Sequence, residues 1–240
     1  MKKFILAFYV YNLLLILCLV SCSDPKIREK NPAIEKITEK VSSLAIKNTI
    51  SDLVAFETRF PYQKQIEVAD YLYERLKVHI TTTGFHEYRF WGVNWKNLIG
   101  TIPGKTNPEE VVIVSAHLDS KSDERLMYAP GADDNASGCA AVLELARVLS
   151  EHSFEKSIRF IFFSREETGW EGSAAYVKSI DKNSEKISAV INLDMIAYGN
   201  DNEDIDLVTR PEYSWLANEI NKLAHLYGFE TRKIVDRHCY

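Results

Sequence analysis

The residues best suited to chemistry in this sequence follow short apolar runs that are predicted to be buried strands. Acidic or imidazole side chains follow three of these runs, and a further acidic group opens a predicted helix. In an open α/β sheet, ligands bind outside the carboxyl ends of the strands, so these side chains are expected to share one rim. They are His117, Asp119, Asp134, Glu166, Glu167 and Asp194.

A set of carboxylates gathered at one rim indicates a cation site. Carboxylates held close together repel one another unless a positive charge lies between them. Histidine with carboxylates is the ligand mixture that zinc and similar divalent ions prefer. A single acidic residue of this kind is usually a cap or a loop residue, and Asp133 is interpreted in that way. The set as a whole predicts a metal centre.

The elements that position these residues alternate between strand and helix. Strands are predicted at 97–102, 111–115, 158–163 and 189–193, and helices at 137–149, 173–179 and 211–227. Val111–Val114 is apolar at consecutive positions, as is typical of a strand covered on both faces. The alternation predicts an α/β fold of three layers, with a mostly parallel or mixed central β-sheet flanked by helices.

Two helices are predicted before the first strand. One amphipathic helix is indicated by apolar residues at helical spacing, namely Ile34, Ile37, Val41 and Leu44. A second follows Pro61, with an apolar face formed by Ile66, Ala69, Leu72 and Leu76. The segment 81–84 is interpreted as the signal that stops this second helix.

The acidic segments form an ordered series of four motifs. They are His117-x-Asp119, the segment 131–138 around Asp134, Glu166-Glu167 followed by Gly172-Ser173, and Asn192-x-Asp194. In order and spacing they resemble the motifs of M28 zinc aminopeptidases, over roughly residues 60–200. Four ordered motifs are far more specific than any one of them. The resemblance implies a metallo-exopeptidase that removes N-terminal residues from peptides.

The resemblance also implies a role for each motif residue. Asp134 is expected to bridge two zinc ions, with His117 and Asp194 completing the protein ligands of one ion and Glu167 binding the other. Glu166 is expected to bind no metal and to act as the general base toward the attacking water.

Three finer expectations come from the same resemblance. Asp119 is expected to accept the second N–H of His117 and so to fix its tautomer. The peptide bond between Asp134 and Asn135 is expected to be cis. Met195 is expected to line the substrate pocket or to pack in the core.

One part of the family pattern is missing. The second metal histidine normally lies in a Ser-Asp-His motif well after the equivalent of Asp194, and the sequence contains no such motif. The preferred interpretation is that the sequence ends before this histidine, so that a peptidase domain at 33–240 is incomplete. Recruitment of His238 is the alternative, although a ligand near a chain end would be poorly held.

The first residues are typical of a signal peptide. Two lysines precede an apolar run at 4–20, and the residues up to Cys22 resemble a bacterial lipobox. We expect residues 1–21 to be removed, Cys22 to carry lipid, and residues 23–32 to form a tether. This predicts an exported lipoprotein held at the membrane of the cell envelope. An uncleaved membrane anchor or plain secretion is the alternative.

Composition excludes some other partners. The chain has 240 residues and a formal net charge of -5, with no basic stripe, so no nucleic-acid partner is expected. Cys139 is predicted to be a small buried residue, and no disulfide framework is expected.

Two other functions are compatible with the same residues. Glutaminyl cyclases share the pattern His117-x-Asp119-Ser-Lys121 and the paired glutamates but use one zinc ion. The short spacing from Glu167 to Gly172 favours a peptidase, because the cyclases carry an insertion there. The second alternative is a lipoprotein that keeps the fold but catalyses no reaction. Such a protein would have no physical reason to retain Glu166. Substrate preference and oligomeric state are left open by the motifs.

Overall fold

The structure, a computed structural model, describes residues 29–181, 184–198 and 205–237. Its helices are α1 (Pro32–Thr38), α2 (Ser43–Val54), α3 (Tyr62–Leu76), α4 (Gly138–Leu149), α5 (Glu171–Ser179) and α6 (Ser214–Leu226). Its strands are β1 (Thr82–Phe90), β2 (Val93–Ile102), β3 (Asn107–His117), β4 (Lys156–Phe163), β5 (Lys186–Asn192), β6 (Ile205–Thr209) and β7 (Thr231–Val235). A π-helical turn, Ala132–Ser137, leads into α4, and a short 3-10 helix, Pro211–Tyr213, leads into α6.

The main sheet has five strands in the order β1-β2-β4-β3-β5. Strands β3, β4 and β5 are parallel, whereas β2 is antiparallel to both β1 and β4. Strands β6 and β7 form a separate parallel pair. The predicted α/β architecture with a mixed central sheet is therefore confirmed.

Strand β3 is buried between the two apolar clusters of the core. Val112 and Val114 face the larger apolar cluster, which includes residues of α1 to α4 and α6. Val111 and Ile113 face the opposite cluster, which includes Tyr176 of α5. Successive side chains of a strand point to opposite faces, so a consecutively apolar strand is covered on both. This confirms that the run at 111–114 is a strand covered on both faces.

The single amphipathic helix predicted from Ile34 to Leu44 is wrong. The chain forms α1 and α2 instead, with a break between Thr38 and Ser43. The side chain of Ser42 accepts a hydrogen bond from the N–H of Ala45 and caps a new helix. Leu44 is 65% exposed and contributes nothing to the core. In α3, Ile66 is only partly buried, and the neighbouring Val68 is fully buried.

The sequence patterns missed β1 and the first residues of β2. These strands form a hairpin whose two-residue turn, Trp91 and Gly92, has positive φ angles of 48° and 80°. β1 is an edge strand with alternating partial burial, so it has no continuous apolar run. Strands β6 and β7 are short and half-exposed and were missed for the same reason.

The end of the predicted tether belongs to the folded body. Asn31 caps α1 through its side chain, and its backbone N–H donates to the Tyr227 hydroxyl over 2.8 Å. Pro32 is the first residue of α1. The predicted signal peptide and Cys22 lie outside the described residues. Within the described ranges, no helix combines the length and apolar character needed to cross a membrane.

Candidate metal centre

The carboxyl ends of three parallel strands meet at one edge of the sheet, as predicted. His117, the last residue of β3, is in register with Phe163, the last residue of β4. Ser115 of β3 is in register with Asn192, the last residue of β5. The loops that carry the glutamate pair and Asp194 therefore begin beside His117.

His117, Asp134 and Asp194 form the centre of the site. The Nε2 atom of His117 lies 3.1 Å from Asp134 Oδ1 and 3.4 Å from Asp194 Oδ1. One ligand atom from each residue fits within a group in which all separations are below 4.8 Å. The His117 side chain is buried, whereas those of Asp134 and Asp194 are 45% and 37% exposed. The group is therefore held by the core on one side and open to solvent on the other.

The electrostatics of the group favour a positive charge at its centre. Burial by itself lowers the pKa of His117, but contacts with Asp119, Asp134 and Asp194 outweigh burial and raise this pKa far above its ordinary value. Contact with His117 in turn lowers the pKa of Asp134. One imidazole nitrogen and two carboxylates converge at a point where a cation is stabilised. This is the set of donors that a divalent metal prefers. The residues fit a metal ion.

The loop that carries Asp134 is tied directly to the strand end that carries Asp194. Asn135 donates from its side-chain amide to the Leu193 carbonyl over 2.8 Å, and it accepts from the Gly138 N–H over 2.9 Å. A β-carbon on Gly138 would lie 2.4 Å from the Leu193 carbonyl oxygen, so only glycine fits there. The peptide bond between Asp134 and Asn135 is cis, as the motif implied.

Asp133 strengthens the same connection without joining the ligand group. Its carboxylate accepts the N–H of Ala197 over 2.7 Å, and Ser137 accepts the N–H of Ile196 over 3.2 Å. Both donors lie shortly after Asp194. The interpretation of Asp133 as a loop residue agrees with these contacts.

A buried arginine that the sequence patterns missed braces the loops behind the site. Arg59 is 1% exposed and donates to the carbonyls of Leu118, Pro130 and Gly131. Leu118 follows His117, and Gly131 precedes the turn that carries Asp134. The guanidinium offers several donors in a fixed plane, which suits it to hold two loops at once. No local motif marks Arg59, because its partners lie about 60 to 70 residues along the chain.

The Asp119 carboxylate lies closer to the backbone of the two glutamates than to the His117 ring. Its Oδ1 accepts the N–H of Glu166 and its Oδ2 accepts the N–H of Glu167, each over 3.1 Å. The Nδ1 atom of His117 lies 3.1 Å from the Asp119 backbone carbonyl and 3.6 Å from its carboxylate. Asp119 is therefore the partner of His117 Nδ1, as expected, but its backbone oxygen lies closer to this nitrogen than its carboxylate does.

Glu166 and Glu167 lie in an environment that disfavours negative charge. Burial raises the pKa of Glu166. Burial, followed by the charge of Asp134, raises the pKa of Glu167 to about 7. Lys121 Nζ lies 3.7 Å from Glu167 Oε2. A carboxylate with a raised pKa in a cleft is suited to proton transfer or to binding a cation.

The other described histidines and Met195 lie outside the ligand group. His86 contacts Asn97, and His225 pairs with Glu230, and neither belongs to the ligand group found among the described residues. His79 and His152 also lie outside that group. Met195 is 59% exposed, which excludes the core-packing alternative. His238 lies outside the described residues.

Several known proteins are similar to this chain. A probable leucine aminopeptidase of Trichophyton verrucosum is 32% identical over 85% of the chain and 59% of its own length. A probable zinc metalloprotease of Pyrenophora tritici-repentis is 29% identical over 68% of the chain and 43% of its own length. The chain spans about half the length of the curated relatives it matches.

Solved structures share the fold. The LapA aminopeptidase of Legionella pneumophila has a TM-score of 0.70 at 23% identity, over 88% of this chain and 60% of its own. A glutaminyl cyclase of Tannerella forsythia has a TM-score of 0.64 at 21% identity, over 82% and 79% of the two chains. Residues 97–238, which contain the whole ligand group, match the sequence model of peptidase family M28. The chain belongs to peptidase family M28.

Proposed function

We propose that the chain is the body of a zinc aminopeptidase that hydrolyses N-terminal residues from peptides. The observation that carries this proposal is the convergence of His117, Asp134 and Asp194, with the glutamate pair held beside them by Asp119. Family membership gives the reaction class, and the names of relatives that include a zinc metalloprotease and leucine aminopeptidases support the metal and the substrate.

His117, Asp134 and Asp194 are the residues that would hold one zinc ion. When bound, the metal supplies Lewis acidity toward the scissile carbonyl and the attacking water. Glu167 is proposed as a ligand of a second ion, with Asp134 shared between the two. The raised pKa of Glu167 beside Asp134 supports this assignment, because two neighbouring carboxylates need a cation to remain charged together.

Glu166 is the proposed general base. Its carboxylate takes a proton from the attacking water and later gives it to the leaving amine, so that no free proton is exchanged with solvent. Burial raises the pKa of Glu166 above its ordinary value, which makes its carboxylate a stronger base toward the attacking water. Its backbone N–H donates to the Asp119 carboxylate, which holds the Glu166 backbone close to the end of β3.

The test is the release of N-terminal leucine from short peptides by the zinc-loaded full-length protein. Glu166→Gln keeps the size of the side chain but cannot take a proton, so kcat should fall about a hundredfold or more. Zinc content should remain that of the wild type. Glu124→Gln, in an exposed loop, is the matched control and should leave kcat unchanged. Full activity in Glu166→Gln would refute the assignment, and zinc analysis of the same samples counts the ions.

Cyclisation of N-terminal glutamine is the second candidate function. The specific observation in its favour is Lys121 beside Glu167, within the His-x-Asp-Ser-Lys pattern shared with glutaminyl cyclases. The same protein should be incubated with a glutamine-leading peptide, and loss of ammonia should be measured by mass. Cyclisation without release of leucine would replace the aminopeptidase proposal.

Export as a lipoprotein is proposed from the first residues alone. The support is the signal-like run followed by Ser21 and Cys22. Mass spectrometry of the mature protein from a bacterial membrane fraction should find lipid on Cys22. An unmodified Cys22 in a chain that retains residues 1–21 would contradict it.

A further inference from the structure

An exposed tryptophan makes a direct hydrogen bond to the side chain of Glu166. The indole Nε1 of Trp170 donates to Glu166 Oε1 over 2.9 Å. Trp170 is also about half exposed to solvent, at 48%. An indole N–H usually finds a hydrogen-bond partner, and the partner of Trp170 is the carboxylate of the proposed base.

The loop backbone is built to present this indole. Trp170 precedes the first residue of α5 and has left-handed angles, with φ 60° and ψ 27°. The N–H groups of Gly169 and Trp170 both donate to the Glu166 carbonyl, over 3.0 and 3.1 Å. The left-handed conformation is unusual for a bulky residue and costs energy, and such residues cluster at functional sites. In this conformation the indole N–H reaches the Glu166 carboxylate.

Side chains around the loop hold it in this shape. Glu171 accepts from Arg165 over 3.1 Å and from the Thr168 hydroxyl over 2.9 Å. The Arg165 guanidinium in turn lies over the rings of Phe90 and Trp95, 4.9 and 4.4 Å from their centroids. The loop between β4 and α5 is therefore closed on itself and anchored on the β1–β2 hairpin.

The contact restricts what the Glu166 carboxylate can do. The indole engages one of its oxygens, Oε1, and so fixes the rotation of the carboxylate group. The contact leaves the other oxygen, Oε2, available for proton exchange. A hydrogen bond from a neutral donor to a charged carboxylate is stronger than one between neutral groups, so it can hold a side chain that is otherwise free to rotate.

We propose that Trp170 is a positioning residue that orients Glu166 for proton transfer. The inference rests on the proposed role of Glu166 as general base. It assigns to Trp170 an effect on the chemical step and none on substrate affinity or metal binding, because the indole N–H contacts the base and not the ligand group.

The kinetic test uses Trp170→Phe, which keeps an aromatic ring and removes the N–H. We expect kcat for leucine release to fall about tenfold, corresponding to a hydrogen bond of about 1.4 kcal/mol. KM, zinc content and Tm should stay at wild-type values. Trp215→Phe is the matched control, because Trp215 is 50% exposed at the start of α6, and it should leave kcat unchanged.

A double-mutant cycle separates positioning from general damage to the loop. Glu166→Asp shortens the side chain and withdraws the carboxylate from the indole. In that background Trp170→Phe should change kcat by less than about twofold, because the contact is already lost. An equal tenfold fall in both backgrounds would show a structural role and overturn the inference. A Trp170→Phe variant whose kcat equals that of an active wild type would also overturn the inference.

A spectroscopic measurement tests the contact without turnover. The protein contains four tryptophans, and the indole N–H signal of Trp170 is identified by its loss in Trp170→Phe. Glu166→Gln should shift that signal in a proton–nitrogen correlation spectrum, because its partner loses its charge. An unmoved signal overturns the inference. If the signal shifts but the wild type hydrolyses no peptide, the proposed function is overturned. The contact then has no catalytic purpose either.

Discussion

At the scale of single residues, Asp119 contacts more residues of the candidate site than its place in the motif indicates. Its two carboxylate oxygens accept the N–H groups of Glu166 and Glu167, and its backbone carbonyl lies against His117. Asp119 is fully buried. One side chain thus connects the end of β3 to the loop after β4, and it sets the positions of the proposed base and of a proposed ligand together.

Asp119→Asn is expected to weaken this connection. The amide has one accepting oxygen, and its NH₂ group would face one of the two N–H donors. We expect kcat/KM for leucine release to fall about tenfold to a hundredfold, as is typical when a partner of a metal site is lost. Stability should fall by about 1–3 kcal/mol, measured by urea unfolding, because a buried donor loses its acceptor.

Asp123→Asn is the control for this substitution, since Asp123 is exposed in the loop that follows. It should match the wild type in both measurements. Wild-type kinetics in Asp119→Asn would show that the two glutamates keep their positions without the carboxylate.

At the scale of elements, an ion pair fastens α5 and the segment before β5 to the face of the sheet. Arg159 of β4 makes two hydrogen bonds of 2.7 Å to the Glu185 carboxylate and a third, also of 2.7 Å, to the Tyr176 hydroxyl. Contact with Arg159 lowers the pKa of Glu185. Since α5 follows Trp170, this pair helps to hold the loop that carries the proposed base.

The pair should make part of the stability dependent on pH. The folded-state pKa of Glu185 is depressed, so its contribution is fully present above the unfolded pKa and is lost as pH falls through the folded pKa. At pH 7, Glu185→Gln should lower the free energy of unfolding by about 1 kcal/mol, in view of the partial exposure of both partners. Below about pH 4 the difference from the wild type should shrink.

Urea unfolding at pH 7, 5, 4 and 3 measures this dependence. Glu109→Gln, on an exposed position of β3, is the control and should show no comparable difference at pH 7. A destabilisation by Glu185→Gln that is constant across this range would mean that the pair acts through packing and not through charge.

At the scale of the whole molecule, the ligand group joins parts of the chain that are far apart in sequence. His117, Asp134 and Asp194 span 78 positions, counted from the residue numbers. The group is assembled only when β3, the turn before α4 and the end of β5 are all in place. An ion that binds this group therefore binds the folded state in preference to the unfolded chain.

Zinc should accordingly raise the thermal stability of chelator-treated protein. At a free zinc concentration about 100 times Kd, the stabilisation is about 2.7 kcal/mol. For a chain of this size that corresponds to a rise in Tm of about 5–10 °C, measured by calorimetry. The shift should be lost in Asp194→Asn and retained in Asp123→Asn. An equal shift in both variants would place the bound zinc elsewhere.

Much of this molecular arrangement follows from local patterns. The consecutively apolar runs of β3 and β4 predict strands buried on both faces, because only such strands can leave every side chain out of water. The polar residues after those strands then mark the rim of the sheet. The glycines and acidic residues around Asp134 repeat a motif whose geometry the structure reproduces, including the cis bond.

Other features depend on tertiary contacts and have no local signature. The break between α1 and α2 coincides with contacts to α4, where Glu144 accepts the N–H of Ser42 and Arg147 donates to the Lys40 carbonyl. These partners lie more than 100 positions away. β1 carries no continuous apolar run, because an edge strand is covered on fewer sides.

The sequence by itself determined the class of fold, the rim that bears the acidic residues and the family, because strand burial and motif spacing are local properties of a chain. Only the tertiary structure decided that Asp119 holds both glutamates, that Arg59 braces two loops and that Trp170 contacts Glu166. The directions of those side chains depend on how separate loops pack against one another. Packing of that kind is a property of the folded chain and leaves no periodicity in the sequence.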